Sequence, residues 1–185
     1  MYYRDITFLM APYPISEDTL LLLDSIKCGK RVLEMGTGNG LIAMECARRG
    51  SAVTAVDIDL EALKKLDKEA KKQGLSITTV HSDLFEKVTG VFDTIIFNPP
   101  YLPGDAEEIE DLQWAGGGEY GDEIIMRFLE NAHRFLSENG EIYIVLSSFN
   151  RIDLIKSMPY DFEKISELKL SFHTIFVYKL KKCEA

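Results

Sequence analysis

The tetrapeptide Asn98-Pro99-Pro100-Tyr101 is the part of this sequence whose residue types and spacing most directly indicate chemistry. It follows the apolar run 92–97, which predicts a buried strand, and neither proline can donate an N–H to continue that strand's ladder. The side chain of Asn98 and the carbonyl of Pro99 are therefore left as acceptors beside the ring of Tyr101. Two neutral acceptors next to a flat ring suit a planar –NH2 group, such as an amide or the exocyclic amine of a base. The alternative is an ordinary turn that closes a core strand.

Acidic residues stand at the ends of three earlier predicted strands. Glu34 lies in the first, Asp57 ends the second and Asp83 follows the third. The carboxyl edge of the sheet is where a doubly wound fold binds its ligand, so we expect these carboxylates to meet Asn98 there. Asp57 would accept both hydroxyls of a ribose, Asp83 an adenine amine, and Leu84 would pack on the ring. Each acid alone has a plainer interpretation as a strand-end cap.

A glycine-rich turn with Gly36, Gly38 and Gly40 joins the first strand to the helix that follows it. Glycines let the backbone come close to a ligand, but dinucleotide-binding proteins use a related turn. Here the glycines fall at i, i+2 and i+4 rather than at the dinucleotide spacing of i, i+2 and i+5. Glu34 also places a carboxylate two residues before Gly36. It would repel a pyrophosphate, but not a ligand that carries an ammonium or a sulfonium.

The apolar periodicity predicts the elements that must position these side chains. Helices are predicted over residues 16–27, 39–49, 60–73 with Asp59 as N-cap, 124–136 with an end at Asn139-Gly140, and 152–157. Strands are predicted over residues 31–35, 52–57, 76–80, 92–97, 141–146, 162–169 and 172–180. This alternation predicts an α/β fold with a doubly wound, seven-stranded, mostly parallel sheet. The last two strands have no crossover helix between them, which predicts a C-terminal antiparallel hairpin.

Length and composition place the chain among ordinary globular proteins. Its 185 residues fit one domain over residues 1–185, with 46% hydrophobic and 28% charged residues. No apolar run approaches the ~18–20 residues of a membrane span, and no secretory signal pattern is present, so we expect a cytoplasmic protein. The net charge of −9 argues against a broad nucleic-acid-binding face, which usually needs a basic surface.

The cysteines and histidines do not form a metal-binding pattern. Cys28, Cys46 and Cys183 are far apart, which suggests free thiols in a reducing compartment. The three histidines are isolated, so we expect structural or surface roles for them. We therefore predict no metal site.

The glycine-rich turn, the strand-end acids and the Asn-Pro-Pro-Tyr tetrapeptide together resemble class I S-adenosylmethionine-dependent amino-methyltransferases, which have a Rossmann-like fold. Further stretches are similar to the archaeal and eukaryotic HemK-like glutamine methyltransferases of class-one translation release factors. These stretches are Glu17-Asp18-Thr19 with its leucine run, Trp114-Ala115-Gly116-Gly117, and the helix from Glu123. The sequence departs from the family pattern between Tyr13 and Glu17.

The resemblance implies S-adenosyl-L-methionine as cofactor, S-adenosyl-L-homocysteine as product, and direct methyl transfer to an amide nitrogen. The cofactor contacts that it implies are Thr19, Glu34, Gly36, Gly38, Gly40, Asp57, Asp83, Leu84 and Asn98. The target amide would be held by Asn98, Pro99, Pro100 and Tyr101. No catalytic carboxylate is required, because positioning carries the reaction.

The resemblance also implies partners. The protein substrate would be a class-one release factor, methylated at the glutamine of its Gly-Gly-Gln motif. A small zinc-binding activator subunit is common among such enzymes, and the third strand, expected at a sheet edge, could be extended by another chain. Bacterial relatives carry a helical domain before the glycine-rich turn. Only about 30 residues precede that turn here, so we expect no such domain.

Two rival functions stay open at the level of sequence. The first is methyl transfer to a base amine of RNA or DNA, adenine or guanine, because a flipped adenine fits the tetrapeptide equally well. The second is a nucleotide-binding or scaffold protein without enzymatic activity. The long irregular stretch 102–120 is more typical of a functional loop than of filler. Its acidic run 105–111 is either a solvated loop or a negative rim for a basic substrate, and the glycines 116–118 are a candidate hinge.

Overall fold

The computed structural model describes residues 16–105 and 114–183. The strands are β1 Arg31–Met35, β2 Ala52–Asp57, β3 Ile77–His81, β4 Phe92–Phe97, β5 Leu136–Ser147, β6 Tyr160–Lys169 and β7 Thr174–Lys182. The helices are α1 Glu17–Ser25, α2 Leu41–Arg48, α3 Leu60–Gln73, α4 Glu123–Ala132 and α5 Ile152–Lys156.

One seven-stranded sheet organises the molecule, in the order β3-β2-β1-β4-β5-β7-β6. Strands β1 to β5 pair in parallel, whereas β7 is antiparallel to both β5 and β6. The predicted doubly wound, mostly parallel sheet with a C-terminal antiparallel hairpin is therefore confirmed. The third strand lies at an edge, as expected.

Apolar side chains of the central strands point alternately to two cores. On β1, Val32 belongs to the core beneath α1, α2 and α3, whereas Leu33 and Met35 belong to the core beneath α4 and α5. On β4, Ile96 and Ile95 are divided in the same way. Burial on both faces explains why these strands read as nearly continuous apolar runs. It also fixes the strand ends, and with them the residues that follow each strand.

The helix predicted over 124–136 is wrong at its C-terminal end. Helix α4 stops at Ala132, and the next bonds are tighter, from Arg134 N to Asn131 O and from Phe135 N to Ala132 O. Phe135 O then accepts from Phe92 N at 2.8 Å, and β5 begins at Leu136. Phe135 and Leu136 continue the apolar spacing of helix α4 in the sequence, but in the structure they pair with Phe92 at the start of β4. The register of the two strands shifts at this point.

Other predicted bounds differ by a few residues. The strand β7 begins at Thr174 rather than Phe172, because Leu170 N donates to His173 O at 2.8 Å and closes a tight turn.

Cys28, Cys46 and Cys183 are free thiols, although the first two, distant in sequence, have their sulfur atoms 2.8 Å apart. No helix in the described ranges has the length and apolarity needed to cross a membrane.

Candidate active site

A cavity of about 570 Å³ opens at the carboxyl edge of the sheet, beside the first turn of α1. Its walls contain nearly all of the predicted site residues: Thr19, Glu34, Gly36, Gly38, Asp57, Asp83, Leu84, Asn98, Pro99, Pro100 and Tyr101. Gly40 is not part of these walls. It precedes α2 with a φ of +75°, and a Cβ there would come within 2.7 Å of Leu66. A glycine at this position therefore allows the start of α2 to pack closely against Leu66 of α3.

The glycine-rich turn is fixed by hydrogen bonds to the end of β2. Thr37 N donates to Val56 O at 3.0 Å, and Gly38 N donates to Asp57 Oδ2 at 2.7 Å. The other oxygen of Asp57 accepts from Asp59 N at 2.8 Å. Burial raises the pKa of Asp57, while these backbone donors oppose the shift. The carboxylate is thus held rigidly in the wall, and each oxygen keeps a lone pair for a ligand hydroxyl.

Glu34 is a buried carboxyl group, with 4% of its surface exposed. Thr37 Oγ1 donates to its Oε2 at 2.5 Å. Burial raises the pKa of Glu34 to about 8, and the neighbouring Asp57 carboxylate adds to the shift. A buried acid of this kind gains most from a cationic ligand, because the opposite charge favours the ionised form.

The segment after β3 forms another wall of the cavity. Arg127 of α4 lies 2.9 Å from Asp83 Oδ2, in an ion pair that sequence reasoning missed. Leu84 has a φ of +43°, and in the described part of the chain it is the one non-glycine residue with a positive φ. Such a conformation is unfavourable for a side chain with a Cβ, and it occurs most often at functional sites.

Asn98 lines the cavity and has an acceptor without a hydrogen-bond partner. Its Nδ2 donates to Thr19 Oγ1 at 3.2 Å, which fixes the orientation of the amide. Its Oδ1 is buried and has no hydrogen-bond partner, a property shared among the described side chains only by His173 Nε2. An acceptor left in this state costs about 1–3 kcal/mol. A ligand that donates an N–H at this position would recover that cost.

Tyr101 is held by α1 rather than by its own loop. Its hydroxyl donates to Asp18 Oδ2 at 2.8 Å. The other Asp18 oxygen accepts from Thr19 N at 2.6 Å and from the hydroxyl of Ser16. Burial and the adjacent Asp18 carboxylate raise the pKa of Tyr101, so the phenol stays neutral. The Glu17-Asp18-Thr19 stretch thus has a positioning role that sequence reasoning missed, because Asp18 orients Tyr101 and Thr19 orients Asn98.

The ring of Tyr101 is followed by two further aromatic rings, neither of which lines the cavity. The His173 ring lies 6.0 Å from the Tyr101 ring, and it stacks on Phe149 at 5.2 Å. Sequence reasoning could not predict this contact, because the histidine is isolated in sequence.

Within residues 16–105 and 114–183, no group of three or more His, Cys, Asp and Glu residues could hold a metal ion.

The stretch from Trp114 packs directly on the residues that follow β4. Leu102 N donates to Trp114 O, and Gly116 N donates back to Leu102 O, both at 2.9 Å. A Cβ on Gly116 would lie 2.7 Å from Pro100 O, so a side chain is excluded there. Trp114 reaches the cavity wall. Most of the acidic run 105–111 lies outside the described residues.

A Rossmann-like sheet that ends in carboxylates and an Asn-Pro-Pro-Tyr turn defines a class I methyltransferase. The chain belongs to the methyltransferase small domain family, whose model matches residues 15–173. The family and fold predicted from the resemblance are therefore confirmed.

Individual relatives agree with this placement. The chain is 38% identical over 175 residues to a protein of Methanocaldococcus jannaschii assigned as a protein N5-glutamine methyltransferase, which covers 89% of each chain. It is 32% identical over 148 residues to the release factor glutamine methyltransferase of Streptococcus pneumoniae, covering 74% of this chain. That match spans 53%, or about half, of the bacterial protein.

A solved structure is similar over almost the whole fold. It is the E. cuniculi Mtq2–Trm112 complex, described as responsible for methylation of the translation termination factor eRF1. The match has a TM-score of 0.72 and 26% identity, and it covers 92% of this chain and 98% of that one.

Proposed function

We propose that this chain transfers a methyl group from S-adenosyl-L-methionine to a side-chain amide nitrogen, namely the glutamine of the Gly-Gly-Gln motif of a class-one release factor. The unpartnered Oδ1 of Asn98 carries this proposal, because Asn98 lines the cavity and this buried oxygen is an acceptor that an amide N–H could satisfy. The names of the relatives support the same substrate class. The M. jannaschii and S. pneumoniae proteins are named for glutamine methylation, and Mtq2 for the methylation of eRF1.

The cavity walls fit the cofactor by charge and shape. When bound, S-adenosyl-L-methionine supplies an activated methyl group on a positively charged sulfur. The buried Glu34 suits its ammonium group, Asp57 its ribose hydroxyls, and Asp83 its adenine amine. Leu84 and the half-exposed Ile58 provide apolar walls for the adenine ring. Gly36 and Gly38 have positive φ angles, which favour glycine, and the lack of side chains at these positions leaves room for a ligand to approach the turn.

The residues after β4 would hold the substrate amide. An amide nitrogen is a poor nucleophile, and its pKa is too high for any side-chain base to deprotonate it beforehand. Asn98 Oδ1 and the Pro99 carbonyl would accept its two N–H groups and place the nitrogen for attack, which is where most of the catalysis arises. The same acceptors stabilise the positive charge that develops on nitrogen as the new bond forms. The ring of Tyr101, fixed by Asp18, would form the flat wall beside the amide.

We further propose a small activator subunit, zinc-binding in the family, as a partner that pairs with β3. This strand lies at the edge of the sheet, and its side chains are only partly buried. An exposed edge of this kind can accept a strand from another chain. The solved Mtq2 neighbour was obtained as a complex with Trm112. We expect residues 1–185 to act as one domain in that assembly, and a release-factor substrate implies a cytoplasmic location.

A labelled-methyl assay tests the function. The purified chain, alone and with a candidate activator, is incubated with methyl-labelled S-adenosyl-L-methionine and a class-one release factor. We expect label in the wild-type factor and none in a factor whose Gly-Gly-Gln glutamine is replaced by alanine. Total RNA and DNA are assayed in parallel. Incorporation into nucleic acid alone would favour a base amine as substrate and contradict the proposal, and incorporation into neither would contradict methyl transfer.

A further inference from the structure

Asn150, between β5 and α5, lies outside the walls of the cavity and outside every motif of the sequence. It is buried, with 6% of its surface exposed. Its Oδ1 accepts from Ser147 N at 2.7 Å. Its Nδ2 lies 3.0 Å from Tyr101 O, 2.8 Å from Tyr120 O and 3.1 Å from Gly121 O. Two N–H donors are thus shared among three carbonyls.

These contacts join parts of the chain that are far apart in sequence. We call residues 114–122 the lip segment, because it includes Trp114 of the cavity wall. The side-chain amide of Asn150 forms hydrogen bonds with the lip segment, with the carbonyl of Tyr101 and with the end of β5. An aspartate of the same size would bring only acceptors to these carbonyls. The position therefore depends on the amide and not merely on a side chain of that volume.

The neighbouring Arg151 strengthens the same connection. Its guanidinium binds the carboxylate of Asp122 through two hydrogen bonds of 2.9 and 2.8 Å, and its backbone N–H adds a third of 3.1 Å. Asp122 is only 1% exposed, and this pairing lowers its pKa. The guanidinium also lies 4.9 Å from the centre of the Tyr120 ring. Two consecutive residues thus fix the C-terminal half of the lip segment.

The lip segment touches the residues after β4 closely enough to transmit a displacement. A Cβ on Gly121 would lie 2.5 Å from the carbonyl oxygens of both Tyr101 and Leu102. A Cβ on Gly116 would lie 2.7 Å from Pro100 O. The lip segment and residues 100–102 are thus in direct contact, with no free space between them. We therefore expect a displacement of the lip segment to move both Trp114 and the backbone of Pro100 and Tyr101.

We propose that Asn150 is a positioning residue for methyl transfer, which acts through the Tyr101 carbonyl and the lip segment to hold the amide-binding residues in place. The proposal rests on the proposed function. It predicts a selective defect, because Glu34 and Asp57 are fixed by contacts that do not involve Asn150. Loss of the amide should lower kcat and leave cofactor affinity nearly unchanged.

The test compares Asn150→Asp and Asn150→Ala with Asn139→Asp, an exposed control near the start of β5, at the opposite end of that strand from Asn150. We expect kcat for the release factor to fall about 10- to 100-fold, since a displacement near 1 Å at a reacting group has effects of that size. The Kd for S-adenosyl-L-homocysteine, measured by calorimetry, should stay within about twofold of wild type. Trp114 is the single tryptophan of the chain, so its emission reports on the lip segment without substrate. It should shift to the red in both Asn150 variants.

The outcomes separate this proposal from the proposed function. An inactive wild-type protein would contradict the function, whereas normal kcat or unshifted Trp114 emission in Asn150→Ala would overturn the role of Asn150. A parallel loss of cofactor affinity would also overturn it, because the defect would then be general. Should both Asn150 variants fail to fold, Arg151→Gln replaces them. It should give a smaller fall in kcat with the same shift in emission, and wild-type behaviour would overturn the proposal.

Discussion

Glu34 and Asp57 are positioned by residues at most 19 positions away in sequence, whereas Asn98 and Tyr101 are positioned by residues at least 49 positions away. The bonds that fix Glu34 and Asp57 join residues 3, 19 and 2 positions apart. Those that fix Asn98 and Tyr101 join residues 79, 83 and 49 positions apart. We call Glu34 and Asp57 the cofactor half of the site, and Asn98 and Tyr101 the amide half.

This contrast has a consequence for how the two halves respond to substitution. Glu34 and Asp57 are held by the ends of β1 and β2 and the turn between them, so the positions of these two carboxylates should survive changes in α1 or near α5. The amide half depends on both of those regions, and it should lose its geometry when either is altered. Binding of the cofactor and turnover are therefore separable by substitution.

The largest separation is expected for Asn98→Ala. Removing the Oδ1 acceptor should lower kcat about 10²- to 10³-fold, the range seen when one preorganised hydrogen-bonding group is lost from an active site. Binding of S-adenosyl-L-homocysteine should change only a few-fold, as calorimetry would show. Equal losses of affinity and kcat would remove the distinction between the two halves.

Asp57→Ala should give the opposite pattern. A hydrogen bond to a charged group contributes about 1.5–3 kcal/mol, so the Kd for S-adenosyl-L-homocysteine should rise about 10- to 100-fold. At saturating cofactor, kcat should remain close to that of wild type. Steady-state kinetics with both substrates varied would measure this, and a large fall in saturated kcat would contradict it.

Cofactor affinity should also depend on pH through Glu34. Its pKa is raised from 4.5 to about 8, so the free protein holds a proton that must leave before the carboxylate can pair with the cofactor's ammonium. Affinity should therefore weaken as pH falls below 8, by up to about tenfold per unit. Calorimetry at pH 6, 7 and 8 measures this slope, and Glu34→Gln should abolish it.

The same group makes a stability prediction of definite sign. Because folding raises the pKa of Glu34, the folded state retains a proton that the unfolded chain releases. The free energy of unfolding should therefore fall as pH rises between about 4.5 and about 8, by at most about 1.4 kcal/mol per unit from this group. Denaturant titrations of wild type and Glu34→Gln would show the difference, and equal slopes would contradict the assignment.

A smaller effect is expected for Thr19→Val, which removes the hydroxyl that accepts from Asn98 Nδ2. A typical hydrogen bond contributes about 0.5–1.5 kcal/mol, so kcat should fall about 2- to 10-fold. Thr19→Ser keeps the hydroxyl and serves as the matched control. If the two variants behaved alike, the orientation of Asn98 would not depend on Thr19.

The smallest effect is expected for Arg127→Ala. This ion pair links α4 to Asp83 in the cavity wall, but both side chains are partly exposed. Exposed ion pairs contribute at most about 1 kcal/mol, so the Kd for S-adenosyl-L-homocysteine should change by less than about fivefold. A larger change would show that cofactor binding also relies on distant contacts.

The same contrast explains what the sequence could reveal. Strand ends and glycine spacing are local patterns, and they correctly predicted that Glu34, Asp57 and Asn98 would lie in one cavity. The contacts of Asp18 with Tyr101, and of Asn150 with the lip segment, join remote residues that share no periodicity. No local pattern distinguishes them from other polar residues.

One error in the predicted elements has the same cause. Phe135 and Leu136 fit the helical spacing of α4, yet they pair with the start of β4. A tertiary contact here decides between two roles that the local sequence permits equally.

The most direct test of the central claim is a crystal structure of this chain with S-adenosyl-L-homocysteine and a peptide that contains Gly-Gly-Gln. We expect the glutamine side-chain nitrogen within about 3.2 Å of Asn98 Oδ1, at hydrogen-bond distance, with Thr19 still bonded to Nδ2. A complex in which Asn98 Oδ1 is satisfied by another group, and the glutamine amide lies elsewhere, would contradict the account.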